Sequence, residues 1–118
     1  MGHRQRPGID YDPNTYSPVV GWPTICTFLI LVLPKKWKTR QPDFVLAYPH
    51  EPAEREIFMH IPRGIKIPTP SNEKYVLKIP QNIYGNFQAG KNWFLFARHY
   101  LITNRFKQSK IDPCVFFY

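Results

Sequence analysis

The sequence predicts an α+β fold in which a short antiparallel sheet packs on two helices. Two stretches, Thr24 to Trp37 and Ala89 to Phe106, carry apolar residues at helical spacing. Three short apolar runs, Gln41 to Tyr48, Glu56 to Ile61 and Tyr75 to Ile79, read as strands that share one sheet. The 13 prolines are spread from Pro7 to Pro113, so every element between them must be short. At 118 residues, 43% hydrophobic and 16% aromatic, the chain holds material for one core and no room for a second.

Taken in order, Met1 to Val20 is rich in turn formers (Pro7-Gly8, Asp12-Pro13-Asn14, Ser17-Pro18) and reads as an irregular arm, with Asp10 and Asp12 in Asx turns. The first helix follows, with Thr24 as its N-cap and Cys26, Leu29, Ile30, Leu33 and Trp37 at helical spacing. Pro34 removes a backbone donor, so this helix should stop or kink near Leu33. Phe44, Val45, Leu46 and Ala47 give the next segment the character of a buried strand, in which the acid Asp43 stands out. The second strand ends at Pro62, where Arg63-Gly64 turns toward Ile65 and Ile67; the third is punctuated by Lys74 and Lys78. In the second helix Trp93, Phe96, Ala97, Tyr100, Leu101 and Asn104 fall on one face. Asp112-Pro113 makes a turn, and Cys114 to Tyr118 is an all-apolar strand at the end of the chain.

Charge and cysteine usage narrow the function classes. Sixteen Lys and Arg against eight Asp and Glu give a formal charge of +8, which suits a polyanionic partner such as nucleic acid. Cys26 and Cys114 are the only cysteines, with no CxxC, so a disulfide scaffold and a zinc site lack support and an intracellular setting is expected. His3, His50, His60 and His99 show no ligand spacing. The most apolar run, Thr24 to Leu33, falls well short of the ~20 residues of a membrane span, and the N-terminus lacks the apolar stretch of a secretory signal. Lys35, Lys36, Lys38 and Arg40 read as a solvated face that could also touch template phosphates.

Several segments, in order and in register, resemble the copia-type LTR retrotransposon reverse transcriptases. They are Thr15-Tyr16-Ser17-Pro18-Val19-Val20; Asp43-Phe44-Val45-Leu46-Ala47-Tyr48; Glu54-Arg55-Glu56-Ile57-Phe58-Met59 with Pro62 and Gly64; and Ile83-Tyr84-Gly85 with Gln88-Ala89-Gly90 and Trp93. Phe106 to Lys110 followed by Asp112-Pro113-Cys114-Val115-Phe116 resembles the strand before the family's catalytic hairpin. The resemblance implies that residues 1–118 are part of the fingers and the first part of the palm of a right-hand polymerase. The intact family carries out RNA-directed DNA synthesis on a template-primer with dNTPs, by two-metal nucleotidyl transfer with Mg2+.

Residue by residue, Asp43 matches the family's first catalytic aspartate, a metal ligand; its bland alternative is a solvent-facing acid at a strand end. Tyr48 matches the aromatic gate that crowds the sugar 2′ position, where steric exclusion succeeds and binding contacts alone discriminate weakly; its alternative is an ordinary core tyrosine. Tyr84, Gly85 and Gln88 match a nucleotide-side loop whose glycines permit close backbone approach; the alternative is a tight turn before a helix. The sequence departs from the family pattern at Phe87, where lysine is usual, and at Pro42, just before the aspartate. The family's paired aspartates, Tyr-x-Asp-Asp, would fall beyond Tyr118, and its triphosphate-gripping basic strand before Met1. The chain is therefore expected to be inactive alone. The alternatives are a non-catalytic basic nucleic-acid-binding protein and a remnant without function.

Overall fold

Short elements joined by long irregular connections make up the chain, as the scattered prolines require. The structure, a computed structural model, describes residues 4–66, 68 and 75–118. Ile67, Lys74 and His3 lie outside the described residues. Helix α1 spans Trp22–Lys35, strand β1 Pro52–His60, strand β2 Val76–Gln81, helix α2 Ala89–Thr103, and two short strands follow, β3 Lys107–Gln108 and β4 Phe116–Phe117. The α+β class and the antiparallel pairing stand as expected, whereas the single shared sheet does not. β1 pairs with β2 and β3 with β4, each in its own two-stranded antiparallel ladder.

Helix α1 begins two residues earlier than Thr24, because Gly21 takes the extended N-cap conformation and Pro23 sits near the start, where its missing N–H costs nothing. It also passes through Pro34 to Lys35. In the last turn a proline forfeits one bond, and the left-handed Lys36 (φ 50°) closes the end by donating to the Leu33 carbonyl, with Trp37 donating to Val32. No residue of α1 is buried, so the sheet does not pack on both helices.

The stretch expected as a buried strand, Gln41 to Tyr48, is instead irregular, then a turn, then a 3-10 turn at Tyr48–His50. Pro42 and Pro49 remove two ladder donors, and Leu46 adopts a left-handed backbone (φ 54°) that no strand accepts. Residues 41–46 are exposed.

Strands β1 and β2 form near where expected and pair with each other as an antiparallel ladder. Ile57 opposes Ile79 and Met59 opposes Leu77 on the better-buried face, while Phe58 opposes Lys78 on the other, where Lys78 also pairs with Glu56. The register slips between Pro52 and Ile57, the part of β1 that meets Pro80, which has no donor to offer. Asn82 closes this end: its backbone N–H donates to the Glu51 carbonyl, and its side chain to Glu51 and Pro52.

Helix α2 forms where expected but stops at Thr103, and its expected face is only partly covered: Trp93, Ala97 and Leu101 are half-buried, Phe96 and Tyr100 are exposed, and the buried positions are Ala89 and Asn92. Arg105 is left-handed (φ 69°), and the Arg105 and Phe106 amides turn back to the carbonyls of Ile102 and Leu101. The final strand is shorter than expected, and Phe117 and Tyr118 are largely exposed. Among the described residues only Tyr11, Ile57 and Ala89 are buried hydrophobics. The outline is elongated, 71 × 28 × 26 Å, with a radius of gyration of 19.6 Å against about 13.5 Å for a compact chain of this length.

Candidate functional site

Of the expected site residues Tyr48 and Tyr84 meet, through an aromatic contact rather than through a sheet. Phe44 stands edge-on to Trp93 of α2, with ring centroids 5.0 Å apart, and Trp93 in turn meets Phe96 at 5.6 Å. Four residues on, Tyr48 leans on Tyr84 at 4.7 Å. Asp43 and Tyr48 are thus tied to the start of α2 and the loop before it by the rings beside or between them. Asp43 itself is exposed, and it makes no ion pair among the described residues. Tyr48 is half-buried and Tyr84 exposed, so the pair offers one supported ring and one free edge.

The loop from Tyr84 to Gln88 owes its shape to two different causes. Gly85 has φ +95°, a backbone few other residues accept, and a Cβ there would meet nothing within 4 Å. Glycine at this position therefore serves the turn, with open space beside it. The other cause is the N-terminal arm. The Gln5 carboxamide accepts the Phe87 N–H (3.1 Å) and donates to the Gln88 side-chain oxygen (3.2 Å), while Tyr11 stacks on Phe87 at 5.1 Å. Ser17 donates to the Gly90 carbonyl and Lys91 pairs with Asp12 at 3.0 Å. Gln88 is only 2% exposed, and its side-chain oxygen is already taken by Gln5. Phe87, in place of lysine, spends its ring on Tyr11.

The arm is irregular as expected. Asp12 forms the expected Asx turn, accepting the Asn14 N–H at 2.9 Å. Asp10 does not: it accepts from the Arg6 backbone and guanidinium. The Asn14 amide, and then Lys91, hold the Asp12 carboxyl below its ordinary pKa, as the Arg6 side chain does for Asp10.

Asp112 makes the long-range contact that local sequence reasoning missed. Its carboxylate accepts from the Thr24 hydroxyl (2.7 Å), the Gly21 N–H (2.9 Å) and the Cys114 N–H (2.9 Å). It therefore caps the start of α1 from 91 residues away, and Thr24 hydrogen-bonds to the capping acid instead of being the cap. The Thr24 hydroxyl first, then the two amides, keep the Asp112 carboxyl below its usual range.

A cleft of about 430 Å³ lies between the start of β1 and α2, lined by Glu51, Glu54, Asn92, Phe96 and His99 among others. None of the five expected site residues lines it, and its two glutamates would repel a triphosphate. Asn92 is 6% exposed, and neither of its side-chain polar atoms finds a hydrogen-bond partner among the described residues. Asn92→Ala removes two unsatisfied polar groups and should stabilise the chain by about 1 kcal/mol in urea denaturation. A lower midpoint for the variant would mean that the carboxamide has a partner in solution.

Against known proteins, the profile described as "Reverse transcriptase (RNA-dependent DNA polymerase)" matches residues 1–117. The chain belongs to the reverse transcriptase family. Within that family its relatives are the Pol polyproteins of copia-type transposons. It is 31% identical over 116 residues to the retrovirus-related Pol polyprotein from transposon TNT 1-94 of Nicotiana tabacum, covering 98% of this chain and 8% of that one. It is 33% identical over 115 residues to the corresponding polyprotein from transposon RE1 of Arabidopsis thaliana, again 98% of this chain and 8% of the relative. It is 26% identical over 117 residues to the transposon Ty1-ER2 Gag-Pol polyprotein of Saccharomyces cerevisiae, 90% of this chain and 6% of the relative. The chain thus spans less than a tenth of the curated relatives it matches. No solved structure matches it.

Proposed function

We propose that this chain is a fingers and palm segment of an RNA-directed DNA polymerase that contributes Asp43 and Tyr48 to a nucleotidyl-transfer site and does not polymerise alone. The observation that carries this reading is the convergence of the matched motifs: Phe44, next to Asp43, on Trp93, and Tyr48 on Tyr84. Template-primer and dNTP would be its partners within the complete domain, where Tyr48 would meet the sugar. Cys26 and Cys114 are free thiols, in keeping with an intracellular setting.

The residues present do not by themselves fit a magnesium pair. Magnesium requires near-octahedral oxygen coordination, and two ions need several converging carboxylates. Asp43 supplies one, and no group of three His, Cys, Asp or Glu able to hold a metal occurs among the described residues. No adjacent pair of aspartates occurs in the sequence. Asp43 would serve as one ligand in a set completed by other residues of the domain.

A second reading, a non-catalytic nucleic-acid binder, draws on the net charge of +8 and the exposed Lys35, Lys36, Lys38 and Arg40, with the Lys35 ammonium 5.4 Å from the Trp37 ring centroid. One primer-extension experiment separates the two. With template-primer, dNTPs and magnesium, neither the native chain nor Asp43→Asn should extend the primer. Magnesium-dependent extension by the native chain alone, abolished in the variant, would overturn the inactivity. Salt-dependent binding to template-primer that is unchanged in Asp43→Asn would favour the binder.

A further inference from the structure

The cleft between the start of β1 and α2 holds a polar group for which the fold has no use. At about 430 Å³ the cleft lies within the usual range of small-molecule sites, roughly 300–1,000 Å³. Asn92, at the end of the first turn of α2, lines it and is 6% exposed. Its carboxamide carries two donor hydrogens and an acceptor oxygen, and none of them is paired among the described residues. Asparagine is a poor helix former, and an amide buried without partners is destabilising, so neither propensity nor packing accounts for this residue here.

The rest of the lining specifies what would pair with it. Glu51, half-buried, and Glu54, exposed, bring two carboxylates from the β1 side, and neither forms an ion pair among the described residues. Nearby cations are engaged elsewhere: Arg55 donates to the carbonyls of Gly8 and Ile9, and Lys78 pairs with Glu56. The cleft is thus acidic in a chain of net charge +8, and charges beyond the Debye length of about 8 Å are screened at physiological salt. Leu95 and Phe96 give it an apolar wall, and Phe96, braced by Trp93, offers a ring that attracts cations. An aliphatic polyamine would satisfy the carboxylates and leave the Asn92 N–H groups without an acceptor. A neutral amide would do the reverse, and a nucleotide would set phosphates against the glutamates. A primary carboxamide on a flat cation meets all three demands.

We propose that this cleft binds a small aromatic cation bearing a primary carboxamide, of which a pyridinium carboxamide is the simplest case. The ligand amide pairs with Asn92, donating to its oxygen and accepting from its nitrogen, while the cationic ring lies by Phe96 and the carboxylates of Glu51 and Glu54. The Asn92 amide, shielded from water where it stands, turns about its terminal torsion, a broad one for asparagine, to meet the ligand. None of Asp43, Tyr48, Tyr84, Gly85 and Gln88 lines the cleft, so the site stands or falls apart from the polymerase reading.

The probe is ring-methylated nicotinamide, titrated against the 118-residue chain at neutral pH and physiological salt, with binding read by ligand-observed NMR. It should bind saturably. Nicotinamide, which lacks the charge, and N-methylpyridinium, which lacks the amide, should each bind about tenfold more weakly. Asn92→Leu should bring the probe down to the level of N-methylpyridinium, and the combined Glu51→Gln and Glu54→Gln variant to the level of nicotinamide. Leucine replaces an unpaired amide with an apolar group of similar size, so the urea midpoint should not fall. Where a variant does lose its fold, the three compounds on the native chain still decide. The proposal is overturned if the probe shows no saturable binding, or if either simpler compound binds as tightly. It is also overturned if both variants, folded, bind the probe as the native chain does, which would place the ligand elsewhere.

Discussion

Trp93→Ala should lower the stability of the chain by about 2 kcal/mol and release the Asp43 to Tyr48 segment from α2. The indole is the shared surface of two ring contacts, edge-on from Phe44 at 5.0 Å and tilted against Phe96 at 5.6 Å. Residues 41–46 are exposed and lack strand pairing, and the other ring contact of the segment is that of Tyr48 with Tyr84 at its end. Urea denaturation reads the loss, and near-ultraviolet circular dichroism reads the freed rings. Trp93→Phe keeps an aromatic face and should fall between native and Ala. A Trp93→Ala chain with the native midpoint and native aromatic signal would show that the segment is held by something other than the indole.

Asp112→Ala should lower the thermal midpoint by several degrees near neutral pH and erase part of the acid sensitivity. The carboxylate joins the start of α1 to the turn before β4 through Thr24, Gly21 and Cys114. These donors hold its pKa below the unfolded value, so the stabilisation is complete above the ordinary carboxylate pKa. It is lost as pH falls through the lowered folded value. Asp10 and Asp12 are shifted the same way, so the Asp112 share is the difference between native and variant curves. The two curves should converge in strong acid. A constant gap at all pH values would mean that the contact acts through packing instead of charge. The Cys114 thiol, pushed up by burial and then by the Asp112 charge, should titrate lower in the variant.

Elements with a clear local period were legible in the sequence. The existence of α2 needed only the 3.6-residue repeat, and strands β1 and β2 followed from their short apolar runs. The misread element shows the limit of such signals. Phe44 to Ala47 looks like a buried strand because a short apolar run has no period of its own, and only a neighbouring strand makes it one. In the structure β1 pairs with β2, the prolines at 42 and 49 withhold donors, and the segment turns at Leu46. A single shared sheet failed for the same reason.

By itself the sequence determined the α+β class, the two helices, the strands β1 and β2 and membership of the reverse transcriptase family, because local spacing and ordered motifs are properties of neighbouring residues. Only the tertiary structure decided that Asp112 caps a helix 91 residues earlier, that Gln5 and Tyr11 clamp the loop at Phe87, and that Tyr48 rests on Tyr84. Such contacts depend on where the chain returns, and no local pattern encodes that path. Exposure was decided there too: α1 is apolar enough for a core, and nothing in the described chain encloses it.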